Sequence, residues 1–192
     1  MCPIGEPGSH RPRVLAGRTW RSEELESIER FQLVETPTGH LLAGETQITR
    51  HYEPVRIRYE VEVDAGWRTT SARIRIPDLD LDLDITVDGE AKWSVNDRHL
   101  ADLDDCVDID LGWTPATNTL PIRRSRSGIE IPFTTRAAWL QWPELWFSPA
   151  NQTYVKRTDH RWTYVHRDFS ADLTVDDQCV VITYGEPPIW QS

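Results

Sequence analysis

Residues 78–87 read DLDLDLDITV, and this stretch decides the fold. Apolar side chains occupy every second position, so an extended strand here has one apolar face and one row of carboxylates. The same alternation recurs at residues 56–63 (RIRYEVEV), 107–111 (VDIDL) and 169–175 (FSADLTV). We therefore predict an all-β protein in which one large antiparallel, strongly curved sheet or a barrel surrounds an apolar interior.

Turn residues separate these strands. Asp88-Gly89 favours a type I′ hairpin turn, because both central positions of that turn need positive φ. The spacing of Trp139, Trp142 and Trp146 would suit one helical face, but Pro143 lies between them. A proline inside a helix costs about 3 kcal/mol. We expect two strands with a bend at Pro143 instead.

The length of 192 residues suits a single domain. Residues 1–17 are polar and rich in glycine and proline, and we expect a disordered leader there and one β domain over residues 18–192. The chain has no apolar run of membrane-spanning length and no secretory signal pattern. Its three cysteines show no metal spacing, which favours free thiols and a cytoplasmic location.

The formal net charge is −10, and the acidic residues concentrate between Asp78 and Asp110. Such a field repels nucleic acid, so no nucleic-acid partner is expected. Residues 84–89 open like a calcium loop, but position 95 is valine where that loop needs a bidentate glutamate. We interpret the carboxylate row as a solvated strand face and predict no metal site. The histidines are scattered and no catalytic motif occurs, so we predict neither enzymatic activity nor a cofactor.

Residues 106–124, CVDIDLGWTPATNTLPIRR, contain the most distinctive segment. Its two prolines and small polar side chains predict a stiff, non-helical connection. Arg123 and Arg124 should then point to opposite sides of an extended chain. An inward arginine must be paired, with Asp108 or Asp110 as the partner, or else available to a ligand.

Nine tryptophans are an unusual aromatic load. They either fill a large core or line a cavity for an apolar ligand. In the second case Trp139 would contact the apolar chain. Arg123 or Arg124, Asn118 and Tyr154 would bind a polar head group near the mouth.

The segment at 106–124 resembles the signature of the bacterial family of putative glycolipid-binding proteins. The resemblance extends to residues 41–45 (LLAGE), 139–145 (WLQWPEL) and 169–176 (FSADLTVD), and covers about residues 20–190. It implies an all-β pseudo-barrel with partial likeness to the half-barrels that carry lipoproteins in bacterial envelopes. It also implies a lipid or glycolipid ligand.

We therefore expect a non-catalytic, lipid- or glycolipid-binding protein. One alternative is an enzyme with its site in a β-barrel cavity, acting on a small hydrophobic or sugar-containing substrate. Another is an interaction protein that docks a basic partner through its acidic face. The sequence does not define the oligomeric state.

Overall fold

The computed structural model describes residues 12–126 and 132–192. Strands hold 60% of these residues and helices 9%, which confirms the predicted all-β class. No helix in these two ranges is long and apolar enough to span a membrane.

The described residues form fifteen strands: β1 (Arg13–Ser22), β2 (Ser27–Thr36), β3 (Gly39–Arg50), β4 (Glu53–Asp64), β5 (Thr69–Ile76), β6 (Leu81–Val87), β7 (Trp93–Val95), β8 (Arg98–His99), β9 (Asp108–Leu111), β10 (Phe133–Leu140), β11 (Phe147–Lys156), β12 (Arg161–His166), β13 (Phe169–Val175), β14 (Val181–Tyr184) and β15 (Trp190–Gln191). One α-helix, α1 (Thr119–Ser125), follows β9. Short 3-10 turns occupy Pro77–Leu79, Ala101–Leu103 and Ala116–Asn118.

All strands form one sheet in the order β8-β7-β6-β5-β4-β3-β2-β1-β15-β14-β13-β12-β11-β10-β9. Every neighbouring pair is antiparallel except β9 and β10. The predicted large curved sheet is confirmed, and it is not closed into a barrel. Strands β1–β8 form one half of the sheet and β9–β15 the other, and the two halves meet where β1 pairs with β15.

Alternating buried and exposed side chains define the inner face of the first half of the sheet. In β4 the residues from Val55 to Val63 are alternately buried and exposed along the whole strand. Phe31, Gly44 and Tyr59 lie opposite one another on β2, β3 and β4. Most tryptophans are core residues, since six of the nine are buried: Trp20, Trp67, Trp93, Trp113, Trp162 and Trp190.

Arginines of β4 and β5 neutralise the predicted carboxylate row on the outer face. Arg75 Nη2 lies 2.9 Å from Asp84 Oδ1, and Arg73 Nε lies 3.2 Å from the same oxygen. Arg56 pairs with Asp78 at 3.0 Å. Most carboxylates of the row are therefore paired with arginines rather than forming an unpaired acidic patch.

The hairpin between β6 and β7 forms as predicted, but the turn type was wrong. Ala91, with φ of 57°, takes the left-handed position, and the Ala91 amide donates to the Asp88 carbonyl. The Asp88 carboxylate also accepts bonds from the amides of Glu90 (2.8 Å) and Lys92 (3.0 Å). This side-chain acceptor stabilises a longer loop than the type I′ turn.

Two chain-level expectations have different outcomes. Strand β10 ends at Leu140 and β11 begins at Phe147, so the two strands flanking Pro143 are confirmed. The predicted leader was drawn too long, because β1 begins at Arg13 and pairs with β2. Residues 1–11 of that leader lie outside the described residues.

Cys106 and Cys179 are free and buried, as predicted. Burial raises the pKa of the Cys106 thiol to about 11. Both side chains act as small apolar core residues. Cys2 lies outside the described residues.

Candidate functional site

A cavity of about 350 Å³ opens among strands of the second half of the sheet and the turn between β1 and β2. Its aromatic lining consists of Trp139, Tyr164, Phe169, Tyr184 and Trp190. Leu25 and Ile189 add aliphatic surface, and Thr114 and Asn118 come from the segment between β9 and α1. The volume lies at the lower end of the roughly 300–1,000 Å³ typical of ligand sites.

A larger depression, about 740 Å³, lies on the outer face of the first half. Its lining includes Glu45, Arg58, Glu60 and Arg73, which pair with one another across the strands. These exposed charges already pair with one another, and such pairs are weak and screened by solvent. We therefore place the candidate site in the aromatic cavity.

The aromatic wall is held by ring-to-ring contacts. Tyr184 lies 6.1 Å from Tyr164 and 5.1 Å from Trp190, measured between ring centroids. The contact with Trp190 is edge-to-face, the geometry that the ring quadrupoles favour. Burial raises the pKa of Tyr164 and of Tyr184, so both hydroxyls keep their protons and can donate hydrogen bonds.

Asp110 is the polar centre of the cavity. Gln152 Nε2 donates to Asp110 Oδ2 over 2.6 Å, and Thr117 Oγ1 donates to Oδ1 over 3.2 Å. In residues 12–126 and 132–192, no lysine or arginine forms a salt bridge with this carboxyl. Burial raises its pKa, and the two donors oppose that rise. A carboxylate has about four acceptor positions, so Asp110 can accept further bonds from a ligand.

His166 contributes a second acceptor to the lining. Its Nδ1 lies 2.9 Å from the carbonyl oxygen of Asn151, and a carbonyl can only accept. The proton of the neutral ring therefore lies on Nδ1, and Nε2 has the lone pair. Within the described part of the chain, Nε2 has no hydrogen-bond partner.

Asn118 is fixed at the cavity by two hydrogen bonds. Its Oδ1 accepts from Tyr154 Oη at 2.9 Å, and its Nδ2 donates to the Pro115 carbonyl at 3.1 Å. Tyr154 is buried directly behind Asn118 and packs on Tyr164 with centroids 5.4 Å apart. Two predicted site residues, Asn118 and Trp139, thus line the cavity, and Tyr154 supports one of them.

The expectation of an extended segment after Pro121 was wrong. Thr119–Ser125 is helical. Pro121 is tolerated because it lies in the first turn, where the amide groups do not need an acceptor within the helix. Arg123 and Arg124 are therefore in the last turn of α1, and neither lines the cavity.

Arg124 forms the predicted structural ion pair, and its partner is Asp108. The two guanidinium nitrogens reach the two carboxylate oxygens over 2.6 Å each. Nη2 also donates to Thr135 Oγ1 and Nη1 to the Trp67 carbonyl. Arg124 thus has three acceptor residues within the fold: Asp108, Thr135 and Trp67.

Arg123 takes a different direction. Its guanidinium carbon lies 4.9 Å from the centre of the Trp67 ring, and Nη2 donates to Gln178 Oε1. His40 stacks on the same indole with ring centroids 3.9 Å apart. The two predicted arginines thus join α1 to other parts of the sheet.

Comparison with known proteins gives the family. Residues 17–191 match the model of the family described as putative glycolipid-binding. The chain belongs to that family. A crystal structure of a DUF1089 family protein from Pseudomonas aeruginosa superposes with a TM-score of 0.71 at 27% sequence identity, covering 82% of this chain and 88% of the other. No curated protein matches the chain.

This putative glycolipid-binding family member also has a buried carboxyl behind the cavity wall. Thr114, which lines the cavity, donates to Glu29 Oε1 at 2.9 Å, and Tyr59 donates a short hydrogen bond to the same oxygen. Burial raises the pKa of Glu29 to about 7. Glu29 thereby connects β2 and β4 to the loop after β9.

Sequence reasoning missed much of the cavity of this family member. Asp110 was considered only as an arginine partner, and Tyr164, His166 and Tyr184 were not singled out. Their inward position on β12 and β14 follows from alternation, but no local signal shows that β9 faces those strands. That juxtaposition depends on the curvature of the whole sheet.

Proposed function

We propose that the protein binds an amphipathic ligand with an uncharged, hydroxyl-bearing head group, such as a glycolipid, and does not convert it. The single observation that carries this proposal is the cavity itself: aromatic walls around a partly satisfied carboxyl, Asp110. Aromatic faces pack on the apolar faces of sugar rings, while carboxylate and amide groups bind their hydroxyls. The family description supports the coarser statement that the ligand is a glycolipid.

The position of Asp110 sets the orientation of the ligand. Asp110 and Asn118 lie against buried residues, whereas Phe169 is 44% exposed and belongs to the mouth. The head group therefore enters first, and its hydroxyls reach Asp110 and Asn118. This reverses the orientation expected from sequence, in which the head stayed at the mouth with the arginines.

The charge of the lining selects against anionic ligands. Among the described residues, Glu24 and Asp110 line the cavity and no lysine or arginine does. A phosphate or carboxylate head group would meet the like charges of Asp110 and Glu24, and only His166, when protonated, could offer it a cation among the lining residues. A sugar hydroxyl, by contrast, donates to Asp110 without carrying charge.

A series of ligands with the same octyl chain tests this proposal. We expect octyl glucoside to bind more tightly than octanol, and octyl phosphate not to bind, as measured by tryptophan fluorescence and by the rise in melting temperature. Octyltrimethylammonium tests a cationic head group, which aromatic rings and a carboxylate would also attract. If no member of the series binds, the proposal fails. If octyl phosphate binds as well as the glucoside, the assigned head group is wrong.

The variant Asp110→Asn examines the role of the carboxyl. Losing a hydrogen bond to a charged group should weaken octyl glucoside binding about tenfold. The matched control is Asp172→Asn, since Asp172 is an exposed carboxylate on β13 that accepts from Thr163 at 2.8 Å. Equal affinity of the two variants would remove Asp110 from the site.

Asp110 and His166 also favour a second candidate, an enzyme acting on the same kind of ligand. A carboxyl with a raised pKa and an imidazole with an available Nε2 are groups used in general acid–base catalysis. Prolonged incubation with a glycolipid, followed by chromatography, distinguishes the two functions. Product that forms with the wild type but not with His166→Ala would establish the enzyme.

A further inference from the structure

Exposed aromatic side chains concentrate at one end of the molecule. Among the described residues, the exposed large hydrophobic side chains are Tyr52 (99%), Val14 (56%), Trp146 (56%) and Phe169 (44%). The three aromatic ones lie in or beside the turns joining β3 to β4, β10 to β11 and β12 to β13. Val14 lies near the start of β1.

Register and contacts place these turns together. Gln47 pairs with Ile28, so the turn at residues 51–52 is at the same end as the β1–β2 turn at 23–26. Arg50 Nε donates to the Pro143 carbonyl over 2.9 Å, which joins the turn at 51–52 to the segment 141–146.

The remaining turns adjoin the same end. Trp139 pairs with Ser148 next to the segment 141–146, and its ring lies 5.6 Å from that of His166, which precedes the turn at 167–168. Arg21 pairs with Gln191, so the segment 185–189 lies beside the β1–β2 turn. We call these five turns, at 23–26, 51–52, 141–146, 167–168 and 185–189, the rim.

Part of the rim borders the mouth of the cavity, because the turns at 23–26 and 185–189 both contribute lining residues. Leu25 and Ile189 belong to the rim, Phe169 directly follows it, and all three line the cavity. A cavity of about 350 Å³ can hold a head group, but not the acyl chains of a membrane lipid as well. Those chains must extend past the rim.

The turn that carries Tyr52 has a backbone conformation that its residues do not favour. His51 and Tyr52 have φ values of 51° and 70°, and Arg50 pairs directly with Glu53. This is a two-residue turn with positive φ at both positions, for which Asn-Gly is the favoured sequence. A tyrosine costs backbone energy there and places its ring fully in solvent, so packing within the fold does not account for it.

The charge of the rim limits the surface it can meet. The rim carries six carboxylates, at positions 23, 24, 26, 144, 168 and 186, and one arginine, at 167. A net negative rim is repelled by an anionic bilayer. Tryptophan and tyrosine, in contrast, favour the headgroup region of any bilayer.

We propose that the rim docks on the surface of an uncharged or zwitterionic bilayer, with Tyr52 and Trp146 inserted among the head groups. Docking would place the cavity mouth directly over a lipid head group, which enters the cavity while its chains stay in the membrane. The purpose of docking rests on the proposed function, but binding to vesicles can be measured without it.

Co-sedimentation with vesicles tests the rim. The wild type should bind vesicles of phosphatidylcholine and bind less well when half the lipid is phosphatidylglycerol. Tyr52→Ser/Trp146→Ser should weaken binding to phosphatidylcholine by about tenfold or more, because affinity scales with the apolar area inserted. Phe169 is left unchanged, because it also lines the cavity.

The control variant is Val14→Ser, which removes an apolar side chain that is as exposed as Trp146 but lies outside the rim. It should bind phosphatidylcholine vesicles like the wild type. Unchanged binding of the double variant, stronger binding to the anionic vesicles, or no binding by the wild type would overturn the proposal. So would a concentration-dependent dimer that the double variant abolishes in the absence of lipid, since the rim would then contact a second copy.

Octyl glucoside separates the two hypotheses. If the double variant loses vesicle binding but keeps its affinity for octyl glucoside, both the rim and the cavity act as proposed. If the wild type binds vesicles but not octyl glucoside, the rim proposal stands and the cavity proposal fails.

Discussion

The two halves of the sheet differ in how many polar side chains point to the inner face. In the first half, aliphatic residues fill most inward positions of β4 and β5, and charges are paired on the outer face. In the second half, the inward positions include Asp108, Asp110 and Gln152, each in a hydrogen-bond network. Inward polar groups are expensive unless satisfied, so the second half depends on internal hydrogen-bond networks that most of the first half does not need.

The largest expected effect contrasts a buried with an exposed ion pair. Arg124→Ala leaves the carboxylate of Asp108, which is 2% exposed, without its partner. We expect a loss of about 3–5 kcal/mol in the free energy of unfolding, measured by urea denaturation. A loss below about 1 kcal/mol, the range of surface pairs, would show that Thr135 and solvent replace the arginine.

Glu29 breaks the rule that the first half has an apolar interior, and it predicts a pH dependence. The pKa of Glu29 rises from its ordinary 4.5 to about 7 on folding, so the folded state binds the proton more tightly. Its stabilising contribution is then complete below pH 4.5 and lost as the pH rises through 7.

The free energy of unfolding should fall by about 3 kcal/mol across that window from this group alone. Glu29→Gln, which is neutral at every pH, should abolish this component, so the difference between the two unfolding curves isolates Glu29. Parallel pH profiles for wild type and variant would contradict the assignment.

A pair of glycines compares packed and open positions of the first half. A Cβ on Gly44 would lie 2.4 Å from the ring of Tyr59, which is held by its bond to Glu29, whereas a Cβ on Gly89 meets nothing within 4 Å. Gly44→Ala should destabilise the fold by about 1–3 kcal/mol. Gly89→Ala should change stability by less than about 0.5 kcal/mol, and thermal unfolding of both variants measures the difference.

The smallest effect is expected on the outer face. Arg73 pairs with Glu60 and Asp84, but its side chain is 60% exposed. Arg73→Ala should cost less than about 1 kcal/mol, and less still in high salt. A loss as large as that of Arg124→Ala would mean that the outer ladder contributes as much to stability as the inner network.

The strands were predictable because alternation of apolar and polar residues is a local property of the sequence. In β4 and β6 the buried and exposed positions follow that alternation. The pairing of an inward arginine with Asp108 was also predictable, since a buried guanidinium needs an acceptor nearby. The helix at Thr119–Ser125 was not, because proline statistics describe helix interiors and Pro121 lies in a first turn. The turn type at Asp88-Gly89 was also mispredicted, because the Asp88 carboxylate accepts hydrogen bonds from later amides and stabilises a longer loop.

The candidate site was only partly predictable. Asn118 and Trp139 were recognised from their segment and residue type, and both line the cavity. Asp110 and His166 come together only because strands distant in sequence curve towards each other. No spacing within the chain encodes that distance, so a single sequence could indicate a cavity but not its polar centre.

The contact between β9 and Thr69 partly covers the unpaired side of β9, which is an edge strand of the sheet. The Thr69 amide donates to the Val107 carbonyl at 3.1 Å, and Thr69 Oγ1 accepts from the Ile109 amide at 3.0 Å. Thr69 of β5 thus provides hydrogen-bond partners on the side of β9 that has no neighbouring strand. The strand at the other edge of the sheet, β8, is only two residues long. The two outermost strands are therefore partly covered or very short, which limits strand addition by another chain at those two edges.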